Sequence, residues 1–316
     1  MAEAAFEAEL LSAGGLPQDL GRTLRGGFGK ALREISCVEP SAACPECPLA
    51  KRCAYGYLFE TPVAADAQVM RKYTHAPHPL ILRVEGVPRG PQLPQGGLRI
   101  HVGLVGRAAA YFPNVLLALQ ALGRMGIGPR RLPFALRAMV DESTRARTRL
   151  SGHASPVRPP EAVGYPIVLG ARAQEAVRIR IETPLRIVAN GALVRRLDFG
   201  RLVSASLRRI ELLWRVHGDD AGGEWSLDSA ALVALADGVE TLSDQTRWVE
   251  TDRFSRRQGR EHPMGGLLGE LAFGAEAGLF IPILRLAGRV HIGKHTVFGH
   301  GHFVVGAQED RHVAAP

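Results

Sequence analysis

The stretch LRLAGRVHIGKHTVFGHGHFVV, Leu284 to Val305, decides the fold. It opens as the end of a helical pattern, breaks at Gly293, Gly299 and Gly301, and closes as a strand. Glycine has no Cβ, so such a segment can turn sharply and come close to a ligand. Arg285, Arg289 and Lys294 stand among the glycines. Backbone N–H groups beside cations suit phosphate oxygens. The same pattern also serves as a tight connection without a ligand, because a glycine loop alone is a weak signal.

A matching turn, Gly126-Ile127-Gly128, lies in the first half, with Arg130 and Arg131 after it. Around it the hydrophobic periods predict a strand at 5–10 and a helix at 17–35. Strands at 79–84 and 98–105, a helix at 112–125 and a strand at 134–140 follow. The second half predicts strands at 177–183, 245–253, 266–273 and 302–306, with helices at 199–216 and 278–290. Each half reads β-α-β-β-α-β. The expected class is α+β: tandem ferredoxin-like, RRM-like domains at 1–170 and 171–316, with a four-cysteine loop inserted in the first. Residues 141–160 are polar and proline-rich. They read as a linker or an excursion, with Arg145, Arg147, Arg149 and Arg158 forming a flexible basic arm.

The 316 residues carry a net charge of +8, mostly through arginine, and lysine is scarce. Arginine suits bidentate phosphate contacts and base stacking. The charge permits a polyanion and does not name one. No basic leader precedes an apolar run at the start, and no stretch is apolar and long enough to span a membrane. A cytoplasmic protein is expected.

All four cysteines, Cys37, Cys44, Cys47 and Cys53, fall between 37 and 53. Four thiolates around a Cys-Pro-Glu-Cys knuckle can close a tetrahedral site, so structural zinc is expected. An iron–sulfur cluster and four unliganded thiols are the alternatives.

Several segments together resemble the CRISPR-associated endoribonucleases of the RAMP superfamily, which process precursor CRISPR RNA. They are Leu24-Arg25-Gly26-Gly27-Phe28-Gly29, Tyr55 to Pro62, His78-Pro79, Asp252 to Gln258, Met264 to Gly269, Ile281 to Leu286 and the glycine loop. The resemblance implies two ferredoxin-like domains that hold CRISPR repeat RNA. It implies one metal-independent cut leaving a 2′,3′-cyclic phosphate and a 5′-hydroxyl. Further CRISPR effector subunits are expected as partners. The alternative is a RAMP subunit that grips the RNA without cutting.

Such a cut needs a base for the 2′-hydroxyl and cations for the phosphorane, and a neutral histidine suits the first task. Many family members carry a histidine shortly after the first helix; here the cysteine loop stands in its place. His295, inside the loop and beside Lys294, is the first candidate; His75 is the second and His78 the third. His78 also reads as a local cap before Pro79. Expected RNA contacts are Arg256, Arg257, Lys294, Arg289, Arg285, Arg130 and Arg131, with Gly293, Gly299 and Gly301 shaping the loop. Arg208 and Arg209 read as a solvated helix face or as RNA contacts.

Overall fold

Ala2, Ala4, Phe6, Ala8 and Leu10 are buried, and Glu3, Glu7 and Glu9 between them are not. That period of two makes β1 (Ala2–Leu10) a strand with one apolar face. In this computed structural model the described residues are 1–17, 19–49, 52–61, 63, 70, 75–87, 96–150, 157–218, 225–250, 252–255 and 260–306. The chain divides into two compact units. The first is Met1–Gly164 with Leu213–Gly223, and the second is Tyr165–Leu212 with Glu224–Pro316.

In the first unit, α1 (Leu20–Ser36) follows β1, capped by Asp19, whose carboxylate accepts from the Arg22 N–H at 2.9 Å. Then come β2 (Leu80–Val87), β3 (Gly97–Leu104), α2 (Phe112–Met125), β4 (Phe134–Asp141) and β5 (Arg147–Arg149). The antiparallel sheet has the order β2-β3-β1-β4-β5. Phe6 sits opposite Ile100 on one side and Met139 on the other. Phe28, Leu32, Phe112 and Leu119 from the helices close the core over that face.

The other face of this sheet is polar and paired. Arg147 meets Glu7 at 2.6 Å and Arg137 meets Glu9 at 2.6 Å. His101 lies 3.3 Å from Glu85 and 3.8 Å from Glu142. Residues 141–150 are therefore not the free basic arm expected from the sequence. The Asp141 carboxylate accepts from Ser143, Thr144 and Glu161 N–H groups, and Arg147–Arg149 adds a fifth strand. Burial alone would raise the Asp141 carboxyl, but these hydrogen bonds hold it below its usual range.

The second unit starts with β6 (Val177–Leu185), a small hairpin of β7 (Val188–Ala189) and β8 (Ala192–Leu193), α3 (Phe199–His217, which from Leu213 on belongs to the first unit) and α4 (Ser229–Asp237). Short strands β9 (Thr241–Asp244), β10 (Arg247–Val249), β11 (Asp252–Ser255) and β12 (Arg260–Pro263) follow, then β13 (Gly266–Phe273), α5 (Ile281–Val290) and β14 (Phe303–Gly306). Its main sheet has the order β10-β13-β6-β14, with β9 also on β13, and all pairs are antiparallel. Phe199 packs edge-on against Phe273 and Phe280 in the core.

Two sequence expectations fail here. The strand expected at 245–253 is interrupted. Asp244 turns back to accept from the Thr246 N–H at 2.9 Å, which separates β9 from β10. β11 leaves to pair with β12. The helix α4 was not anticipated, although Asp228 caps it by accepting from the N–H groups of Ala230 and Ala231. No helix among the described residues is long and apolar enough to cross a membrane.

Candidate functional site

Three histidines of the first unit share one hydrogen-bonded network. After α1 the chain makes a π-helical turn, Gly56–Glu60, and Thr61 ends it with a left-handed φ of 45°. The segment at 75–78 lies alongside, tied by the Ala76 N–H donating to the Thr61 carbonyl at 2.9 Å. The His75 Nδ1 is 2.9 Å from the Glu60 carbonyl. A carbonyl can only accept, so Nδ1 carries the hydrogen and the neutral ring keeps its lone pair on Nε2. His75 is solvent-exposed.

His78 is oriented in a related way. The Thr61 hydroxyl donates to the Tyr57 carbonyl at 2.9 Å, so its oxygen is left to accept from His78 Nδ1 at 2.8 Å. The His78 Nε2 then faces Arg25 Nη2 at 3.5 Å. His217, fully buried, was not singled out in the sequence. Its Nε2 donates to the Pro77 carbonyl at 2.6 Å and its Nδ1 accepts from the Tyr57 hydroxyl at 3.0 Å. Both its nitrogens are occupied, so it braces the segment carrying His75 and His78. Nothing in the local pattern around His217 signals this, because its partners lie 140 and 160 residues away.

Arg25 is a buried cation beside this network. Its guanidinium is 3.9 Å from the centroid of the Phe59 ring and donates to the Phe59 carbonyl at 3.4 Å. Burial lowers its pKa to about 10, so it stays charged at neutral pH. Phe59 reaches this place because residue 29 is glycine: a Cβ there would come within 2.2 Å of its ring. A groove of about 690 Å³ opens along α1 here, lined by Lys30, Arg33, Cys37, Tyr55 and Phe59 among others.

The glycine loop of the second unit is built differently from the expected phosphate cradle. Gly293 and Gly301 have φ of 83° and 80°, and a Cβ at either would strike the Arg186 or Ile292 carbonyl at 2.4 or 1.9 Å. Their freedom is used for internal packing. The N–H groups of Ile292, Lys294, Phe298, Gly299 and Gly301 all donate to backbone carbonyls, and that of His302 donates to the Thr183 hydroxyl. What the loop offers outward is side chains: Lys294, Arg285 and Arg289 are exposed.

His295 has a left-handed φ of 65° and lies half-buried, its ring 6.2 Å from that of His300. Arg130 and Arg131 are exposed after α2. Arg256 and Arg257 lie outside the described residues. Arg209 donates to the carbonyls of Val290 and His291 at 3.3 and 3.2 Å, which caps the C-terminus of α5. Its role is structural. Burial brings it to about 10.

The four-cysteine loop runs between α1 and the π-helical turn, and no two of its thiols are bonded. Among the described residues no group of three or more His, Cys, Asp or Glu side chains is placed to hold a metal ion. The four thiols do not form such a group, and the zinc expected from their spacing is not shown. Burial first, and then the charge of Glu60, pushes the Cys44 thiol up.

The comparisons with known proteins fit this architecture. Residues 1–161, half of the chain, match the model of the AF_1859_N N-terminal domain, and residues 179–303 match that of the CRISPR-associated endoribonuclease Cas6. An uncharacterized protein of Archaeoglobus fulgidus is 27% identical over 114 residues. That match covers 35% of this chain and little more than a third, 37%, of the relative.

Among solved structures, a Cas6 product complex superposes with a TM-score of 0.58 at 17% identity, covering 97% of this chain and 100% of the other. A second Cas6 product complex gives 0.52 at 19%, again over 97% and 100%. A partial Cas6-RT-Cas1–Cas2 complex gives 0.51 at 12%, over 99% of this chain and 47% of the other. The matched segment at 179–303 defines the class, an RNA-cleaving enzyme of the CRISPR-associated endoribonuclease type. The chain belongs to the AF_1859_N family, and its residues 179–303 are similar to the CRISPR-associated endoribonuclease Cas6.

Proposed function

We propose that this chain cuts CRISPR repeat RNA without a metal, with His75 as the base. The exposed Nε2 takes the proton of a ribose 2′-hydroxyl, and the oxygen attacks the adjacent phosphorus in line. The bond to the 5′-oxygen breaks, that oxygen takes a proton from water as it leaves, and His75 returns its own proton to the solvent. The products carry a 2′,3′-cyclic phosphate and a 5′-hydroxyl. Arg25, a buried cation 3.5 Å from the His78 Nε2, is the proposed stabiliser of phosphorane charge.

The observation that carries the assignment is the contact of His75 Nδ1 with the Glu60 carbonyl, which leaves the lone pair on the exposed nitrogen. His295, first on sequence grounds, lies half-buried with its ring 6.2 Å from that of His300. His78 already points its Nε2 at Arg25.

Each unit is proposed to be a ferredoxin-like domain, since each follows β-α-β-β-α-β with the first strand between the third and fourth. Lys294, Arg285, Arg289, Arg130 and Arg131 are the proposed RNA contacts. The proposal includes action in the cytoplasm, where the transcript is made, and association with other CRISPR proteins. One structural neighbour is itself part of a Cas6-RT-Cas1–Cas2 complex.

Single-turnover cleavage of 5′-labelled repeat RNA in EDTA tests the reading. Wild type should cut and His75→Ala should not. Full-rate cleavage by His75→Ala would remove His75 from the mechanism, and dependence of the wild type on a divalent ion would remove the metal-free route.

A further inference from the structure

The base of the second unit's edge strand holds a concentration of positive charge around one indole. Trp248 lies half-buried on β10, the outer strand of the order β10-β13-β6-β14. The Arg195 guanidinium sits 3.8 Å from its ring centroid, and that of Arg186 lies 5.6 Å away. The indole is fixed from its edge, since Nε1 donates to Glu250 at 2.7 Å. Arg186 is fixed too: Nη1 donates to the Gly265 carbonyl at 3.0 Å, and its own carbonyl accepts from the Lys294 N–H at 2.8 Å. Arg196 and Arg247, each adjacent in the chain to a member of the cluster, are exposed.

Glu250 meets Arg195 only at 3.7 Å, with more than half of each side chain in solvent. Two guanidiniums within 6 Å of one ring repel each other, and a loose exposed ion pair offsets little of that. Holding them there orders two long side chains in addition. A ligand that brings both negative charge and a flat face would stabilise the arrangement. RNA has both, in its phosphates and its bases, and planar cations on aromatic rings are a stacking surface for unpaired bases.

We propose that Trp248 and Arg195 form a stacking platform for an unpaired nucleotide of the bound RNA, flanked by Arg186, Arg196 and Arg247 as phosphate contacts. The base adds to the exposed side of the Arg195 guanidinium as the next layer over the indole. This rests on the reading of the chain as an RNA-binding nuclease and adds a contact with single-stranded RNA that the catalytic network does not supply.

The test uses the full chain with two repeat RNAs, one ending at the hairpin and one carrying single-stranded flanks, and with oligouridine as a probe lacking any hairpin. Trp248→Ala should weaken binding of the flanked RNA by about 5- to 150-fold, the cost of one lost base stack. The hairpin-only RNA should bind as before. Arg195→Glu, at an exposed position that does not threaten folding, should weaken the flanked RNA and oligouridine in the same way. Oligouridine should quench the tryptophan emission of wild type, Trp214→Phe and Trp225→Phe, and fail to quench that of Trp248→Phe.

If wild type binds and cuts repeat RNA while these variants bind all three RNAs as it does, the platform is wrong and the nuclease reading stands. If wild type binds no repeat RNA, both fall.

Discussion

His75 in the first unit and His302 in the second begin with the same device and end in different uses. Each sets its Nδ1 against a backbone carbonyl, Glu60 at 2.9 Å and Gly288 at 3.0 Å. The difference lies at Nε2. That of His302 sits 3.2 Å from the Glu182 carboxylate, and the ring is largely buried between β14 and β6. That of His75 is on an exposed ring. A fixed tautomer alone therefore does not mark a catalytic histidine. It marks one only where the second nitrogen is left for a substrate.

The largest effect should come from the exposed member of this pair. His75→Ala should slow single-turnover cleavage by about 10²–10⁴, the usual worth of a positioned base. Its unfolding temperature should match that of wild type, because an exposed ring with one hydrogen bond contributes little. His302→Ala should show the reverse pattern, with unchanged cleavage and lower stability. A slow His302→Ala with an intact His75→Ala would invert the comparison and move the active centre to the second unit.

Arg25 sharpens the same contrast: its hydrogen bonds among the described residues go to the Phe59 carbonyl and toward His78, whereas Arg137 and Arg147 of the first sheet each meet a carboxylate. Arg25→Met keeps a long chain over Phe59 and removes the charge. Cleavage should fall by about 10²–10³, as for loss of one charge-stabilising donor. Stability should hold or rise, because a buried charge costs free energy to desolvate. A variant that cuts normally but unfolds early would make Arg25 structural.

His302→Ala should cost about 1–3 kcal/mol of stability, the range for leaving buried polar groups without their partner. The groups left behind are the Gly288 carbonyl and the Glu182 carboxylate. Urea unfolding with cleavage measured on the same preparation separates this loss from any catalytic one. An unfolding free energy equal to that of wild type would show that the pair is decorative.

Much of this fold was legible because its signals are local. The helix 112–125 and the strand 266–273 follow from uninterrupted apolar periods, and both match the observed α2 and β13. The strand at 245–253 was misread because a side-chain cap at Asp244 overrides an apolar pattern, and such a cap looks like any aspartate in a sequence. The proposed site was legible in part. His75 and His78 were named from their place before a strand. What orders them, the carbonyl of Glu60, the hydroxyl of Thr61 and the brace of His217, depends on contacts between distant residues. The cysteine spacing suggested a metal, but spacing fixes only which thiols can meet. Net charge misled in a similar way: on the first sheet Arg137 and Arg147 are spent on Glu9 and Glu7.

The smallest effects should appear in acid, and they compare one carboxylate from each unit. Glu182 is lowered from 4.5 to about 2, first by the hydrogen bond from His302 and further by Arg180, against the opposing effect of burial. Glu85 is lowered to about 2 as well, first by the hydrogen bond from His101, with burial opposing and Arg83 assisting. A carboxyl with a depressed folded pKa contributes stability that is fully present above its unfolded value and lost as pH falls through the folded one. For both groups that window runs from 4.5 down to about 2. Glu182→Gln should therefore flatten the fall of the unfolding temperature across that window and lower the plateau above it. Glu85 is 48% exposed against 29% for Glu182, so water and ions screen its partners more. Glu85→Gln should show a weaker version of the same change, and about 0.5 M salt should abolish it while leaving most of the Glu182 effect. Equal, salt-insensitive changes at the two positions would mean that the open face of the first sheet is as closed to solvent as the His302 pair, and the contrast drawn between the units would not hold there.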